Sequence, residues 1–97
     1  MANAEQLFSF KARQGALIVE MQIYRLPSPD SQRPHGFHFR LYFGRADECL
    51  VLYDTHTGKS AHRHLDGREE PYGFTSVDAL VDDFEIECAK HGWRWEE

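Results

Sequence analysis

The stretch Tyr53–Tyr72, YDTHTGKSAHRHLDGREEPY, gathers three of the six histidines of the 97-residue chain with Lys59, Arg63 and Arg68. A solvent-facing linker is rich in Ser, Gly, Glu or Gln, whereas these groups titrate near neutrality, ligate metals or hold phosphate. His62 and His64 flank Arg63, so on an extended backbone both imidazoles point the same way and can act on one ligand. Asp54 and His56 stand in the same i, i+2 relation, and Gly58-Lys59 between the two pairs reads as a turn. A hairpin over Tyr53–His64 about that turn brings Asp54, His56, His62 and His64 together.

Three readings of that convergence stand open. Metal-free phosphodiester cleavage needs a base for the 2′-hydroxyl, an acid for the leaving oxygen and cations for the phosphorane. An imidazole titrates near pH ~6.5, so one of His62 and His64 can serve as base while the other, beside Asp54, serves as acid, with Lys59 on the phosphate charge. Arg63, Arg68, Tyr53, Arg40 and Tyr42 are the candidate substrate-binding groups, for phosphate and for stacked bases. A divalent metal on Asp and His is the second reading; the spacing matches no strong zinc signature, and Cys49 and Cys88 lie far off, so neither a metal ligand set nor a cofactor is assigned. The third is a polar hairpin without chemistry, its Arg68 paired to Glu69 or Glu70.

Strands and one helix must position these groups. Leu7–Arg13 alternates Phe8, Phe10 and Ala12 against polar residues, and after Gln14-Gly15 the alternation resumes over Ala16–Leu26, with Leu17, Val19, Met21 and Ile23 on one face. The Pro-rich Leu26–Pro34 reads as a loop. Phe37–Phe43 turns Phe37, Phe39, Leu41 and Phe43 inward and His38, Arg40 and Tyr42 outward, joining Tyr24 on a polar, aromatic face. Glu48–Asp54 is nearly all apolar, as for a strand buried on both faces. From Ser76 to His91 the period changes to that of a helix, with Val77, Leu80, Val81, Phe84 and Cys88 on one stripe. Thr75 with Asp78 fits a capping box, Gly92 the stop, and Trp93 and Trp95 the return to the sheet edge. The expectation is an α+β fold over residues 1–97 as a single domain: an antiparallel sheet of about four or more strands packed against a C-terminal helix.

Bulk composition narrows the class. With 41% hydrophobic and 28% charged residues the chain is ordinary for a soluble protein, and no apolar run approaches the ~20 residues of a membrane span. No secretion signal is read at the N-terminus and two cysteines make no disulfide framework, so the cytoplasm is the expected compartment. The net charge of −5 is uneven: residues 1–68 carry nine Lys/Arg against seven Asp/Glu, and residues 69–97 carry two against nine. The acid sits in the tail, which leaves the sheet free to meet a nucleic acid.

The segments GALIVEMQIYRLP, HGFHFRLYF and YDTHTGKSAHRHLDGREEPYGFTSVDALVDDF resemble the TumE family of prokaryotic toxins across most of the chain. The family pattern falls on Tyr53, Asp54, Gly58, Lys59, His62, His64, Gly67, Arg68, Glu69, Pro71, Tyr72, Phe74, Leu80, Asp83 and Phe84, with Thr55, Ser60 and Ala61 as departures. The resemblance implies a cytoplasmic toxin neutralised by a cognate antitoxin that commonly carries a helix-turn-helix, with RNA as a possible target. A ribonuclease reading then leads; an interaction module that acts by binding, and a metal-dependent nuclease, are the alternatives.

Overall fold

The computed structural model describes residues 4–31, 33–55 and 61–95. Six strands, β1 (Glu5–Gln14), β2 (Leu17–Arg25), β3 (Phe37–Arg45), β4 (Glu48–Asp54), β5 (His62–Leu65) and β6 (Arg68–Pro71), form one antiparallel sheet in chain order, and α1 (Val77–Lys90) follows. The α+β arrangement is the one expected. The first three alternating runs and the apolar run of β4 all become strands, and β5 and β6 extend the meander beyond them.

Register and parity decide where the core lies. Val19, Met21 and Ile23 of β2 pair with Phe43, Leu41 and Phe39 of β3, and Val51 and Tyr53 continue the rows in β4. All of these are essentially buried, and α1 lays Leu80, Phe84 and Cys88 over them. Each such apolar side chain contributes ~1.5–3 kcal/mol on burial, so this one face carries most of the driving force. β4 is therefore buried on one face, not two: Leu52 and Asp54 point to the other side and are only partly covered.

The helix starts at Ser76, whose Oγ accepts the Ala79 N–H at 3.1 Å, one residue later than a Thr75–Asp78 box would place it. Both residues carry the short hydroxyl that a cap needs, so local sequence does not separate them. It ends in a Schellman turn: Trp93 N–H donates to the Cys88 carbonyl at 3.2 Å, Gly92 N–H to that of Ala89 at 3.1 Å, and Gly92 takes φ 95°. That turn sends Trp93 into the core against Phe43 of β3 and Trp95 against Phe10 at the sheet edge, so of the two only Trp95 takes the edge position expected of both. Cys49 is exposed and Cys88 buried, both as free thiols.

Two histidines near the start of β3 make the fold sensitive to acid. His35 accepts the Phe37 N–H at Nδ1, packs on Phe74 with ring centroids 4.5 Å apart, and leaves Nε2 buried without a hydrogen-bond partner among the described residues. Burial lowers its pKa, and burial followed by the Arg33 charge lowers that of His38, with Asp54 opposing. The unfolded chain therefore binds more protons than the native one just below pH 6.5, and the stability these groups contribute is complete above 6.5 and lost as pH falls through their folded values. Thermal melts are expected to drop between about pH 7 and 5, and less steeply for His35→Leu. Equal slopes in the two proteins would count against the assignment.

Candidate active site on the open face of the sheet

Side chains with the opposite parity to the core form a second face over which no described strand or helix packs. Cross-strand pairing runs Gln22–Arg40–Asp54–His62 in one row and Glu20–Tyr42–Leu52–His64–Glu69 in the next. Asp66 and Gly67, with φ 52° and 83°, make the two-residue turn between β5 and β6 and so fix His64 opposite Glu69. Asp-Gly is among the few pairs that tolerate positive φ at both positions.

Within these rows the candidate groups meet. His62 Nε2 lies 3.0 Å from Asp54 Oδ1 and 3.4 Å from Glu69 Oε2, and the His62 and His64 rings are 5.3 Å apart, edge to face. Ligand-capable atoms of Asp54, His62 and His64 all lie within 4.8 Å of one another. Asp54 Oδ1 is buried and makes no hydrogen bond among the described residues, so its approach to His62 Nε2 lacks hydrogen-bond alignment. His62 is buried while His64 is half-exposed, which makes His64 the more accessible imidazole. Arg40 is exposed in the row of Asp54, its guanidinium carbon 5.4 Å from the Tyr42 ring centroid. The Tyr42 hydroxyl donates into the β3–β4 turn, to the carbonyls of Arg45 and Glu48.

The other expected site residues go elsewhere. Tyr53 is fully buried under α1, and Arg63 shares that face, donating to the Tyr53 hydroxyl at 3.0 Å and through Nε and Nη2 to Glu70 at 3.0 and 2.7 Å. The hydrogen bonds to Glu70 raise the Arg63 pKa above its usual value. Residue parity on β5 dictates this: if His62 and His64 point to one face, Arg63 points to the other. Arg68 is exposed opposite Leu65, also on the helix side. Lys59 and His56, with the Gly58-Lys59 turn, lie outside the described residues.

Three groups on or beside this face were not among the expected site residues. Glu69 faces His62. Thr55, buried, accepts the Phe39 N–H at Oγ1 and lies 2.7 Å from His38 Nδ1. Arg33 Nη1, which can only donate, approaches the same nitrogen at 3.5 Å and favours the tautomer with the His38 proton on Nε2. Strand parity already placed His38 beside Arg40, and only the β4 register shows that Thr55 anchors it.

The described chain is thus a small α+β protein with a covered face and an open, histidine-bearing face. The family described as Toxin TumE matches residues 3–91, so the chain belongs to the toxin TumE family. No curated protein and no solved structure matches it. The residues that carry the family pattern divide between the two faces: Asp54, His62, His64 and Glu69 on the open one, and Tyr72, Phe74, Asp83 and Phe84 in the packing. Tyr72 donates to Asp83 at 2.6 Å, tying β6 to α1. No described helix is long and apolar enough to cross a membrane.

Proposed function

We propose that this chain is the toxin of a toxin–antitoxin pair and cleaves RNA at the Asp54–His62–His64 centre. The observation that carries the reading is the convergence of two imidazoles and a carboxylate on the open face, one strand from the exposed Arg40. In the reaction one imidazole takes the proton of the 2′-hydroxyl, whose oxygen attacks phosphorus. The other gives a proton to the departing 5′-oxygen, leaving a 2′,3′-cyclic phosphate and a 5′-hydroxyl. Arg40 supplies positive charge for the phosphate, and Asp54 with Glu69 orients His62. Tyr24 and Tyr42 border the same face and offer ring surfaces to bases. Action on RNA places its work in the cytoplasm, with a cognate antitoxin, commonly a helix-turn-helix protein, to restrain it.

A second reading is favoured by the unbonded Asp54 Oδ1. Two imidazoles and a carboxylate are a common donor set for divalent transition metals, and donor atoms within 4.8 Å come into ligation range by small side-chain rotations. Purified protein incubated with total RNA separates the two. Cleavage undiminished by EDTA, with cyclic phosphate ends, is the expected result. Cleavage abolished by EDTA and restored by one divalent ion selects the metal reading, and no cleavage under either condition returns the protein to the binding-module class.

A further inference from the structure

Large apolar side chains are exposed along only one border of the described molecule: Leu7, Phe8 and Phe10 on β1 and Ile86 on α1. β1 is the outermost strand, ten residues long, and its outer edge is unpaired among the described residues. Long edges are normally protected by Pro or several inward charges, and EQLFSFKARQ has no Pro; of its three charges Glu5 pairs with Arg25, Lys11 stands on the opposite face, and Arg13 borders the groove beside α1 only at its Trp95 end. Phe8 and Phe10 pair with Ile23 and Met21 and so face the helix side, yet remain 38% and 37% exposed because α1 runs over the inner strands. A groove between β1 and α1 results. One cavity of about 460 Å³ lies between Leu7, Phe8, Val77 and Val81, and another of about 470 Å³ is floored by Phe8, Phe10 and Trp95.

Its α1 wall is acidic. Asp78 and Asp82 line the first cavity and Glu85 the second, and α1 as a whole carries five carboxylates against one lysine. Glu85 is held above its ordinary pKa, first by burial and then by Asp82, and a cation placed there offsets the repulsion between the two carboxylates. Arg13 and Arg94 add positive charge only at the Trp95 end.

We infer that this groove docks an extended, basic segment of a protein partner, which adds a seventh strand to β1, lays alternate apolar side chains beside Phe8 and Phe10, and directs Lys or Arg to Asp78, Asp82 and Glu85. The geometry follows from strand addition: a new strand beside β1 continues the helix-facing row of Phe8 and Phe10 outward from the acidic side of α1. Charge selects the occupant. A second copy of the chain brings its own acidic α1, and RNA brings phosphates, so both are repelled where a basic segment is attracted. The proposal rests on the toxin reading, which makes that partner the antitoxin, and it leaves the open face free for RNA.

The test uses the full chain co-expressed with the protein of the adjacent reading frame as probe, purified as a complex and titrated by calorimetry. Asp82→Lys with Glu85→Lys is expected to weaken binding at least tenfold, with the circular dichroism spectrum and RNA cleavage unchanged. Hydrogen exchange is expected to show new protection at the outward-facing β1 amides in the complex. Tight binding with wild-type affinity in the charge-reversed protein, or β1 amides unprotected in the complex, overturns the groove and leaves the antitoxin reading standing. Failure of the wild-type chain to bind that probe overturns the antitoxin reading and the proposal with it. A β1-mediated dimer of the free chain in sedimentation shows that the groove's occupant is a second copy, which also overturns it.

Discussion

Expression of the His64→Ala chain without antitoxin should permit growth that the wild-type chain arrests, with the His62→Ala, His64→Ala double variant at least as permissive. Removing a single proton-transfer group costs ~10²- to 10⁴-fold in rate. His64 is the half-exposed imidazole and the more accessible of the two, while buried His62 touches Asp54 and Glu69. Deleting His62 therefore leaves two neighbouring carboxylates facing each other without the imidazole between them. A conservative His62→Gln isolates the proton transfer from that repulsion, because its amide can still donate to either carboxylate. Neither residue belongs to the apolar core under α1, so melting temperature should move little for His64→Ala. A folded double variant as toxic as wild type would remove these imidazoles from the mechanism altogether. A variant that fails only because it no longer accumulates would show as lost protein on a gel.

The alternating strands were legible in sequence, as were β4 and the hairpin that brings His62 and His64 to Asp54, whereas the bounds of β5 and the whole of β6 were not. β1 to β3 alternate over seven or more residues each, and β4 runs from Glu48 to Asp54 as expected. β5 and β6 are HRHL and REEP, four residues apiece, too short and too polar to show a period of two. Asp66-Gly67 was the available signal for the β5–β6 hairpin, and it implies Arg63 opposite Glu70 and His64 opposite Glu69 directly. The apolar run of β4 suggested burial on both faces and hid the parity that separates Tyr53 from Asp54. Treating β4 as one-sided would have sent Tyr53 and Arg63 to the core side and kept Arg40, Asp54, His62 and His64 together. The Thr55–His38 contact depends on how far β4 continues past its last ladder pair, which no local pattern reports.

Phe84→Ala should lower the unfolding free energy by ~3–5 kcal/mol, the usual cost of removing a buried phenylalanine and leaving its cavity. A chain of this size has only ~5–15 kcal/mol in total, so the variant approaches instability at growth temperature. Phe84 is fully buried and stands edge-on to Tyr53 at 5.9 Å, and Tyr53 in turn stands edge-on to Tyr72 at 5.0 Å. The Tyr72–Asp83 hydrogen bond closes this cluster on α1, while Arg63 and Glu70 close it on β5 and β6. Loosening the cluster reaches the site through the backbone, because Tyr53 lies between Leu52 and Asp54 on β4 and opposite Arg63, between His62 and His64 on β5. Toxicity should therefore fall together with the urea midpoint in Phe84→Ala, and recover in part when cells are grown cold. Phe84→Leu keeps most of the volume and should cost less than half as much. The histidine variants should show the reverse pattern, toxicity lost with the midpoint kept. An unfolding free energy reduced by under about 1 kcal/mol in Phe84→Ala would mean that α1 does not hold the site-bearing strands in place, and that the two faces of the sheet are independent.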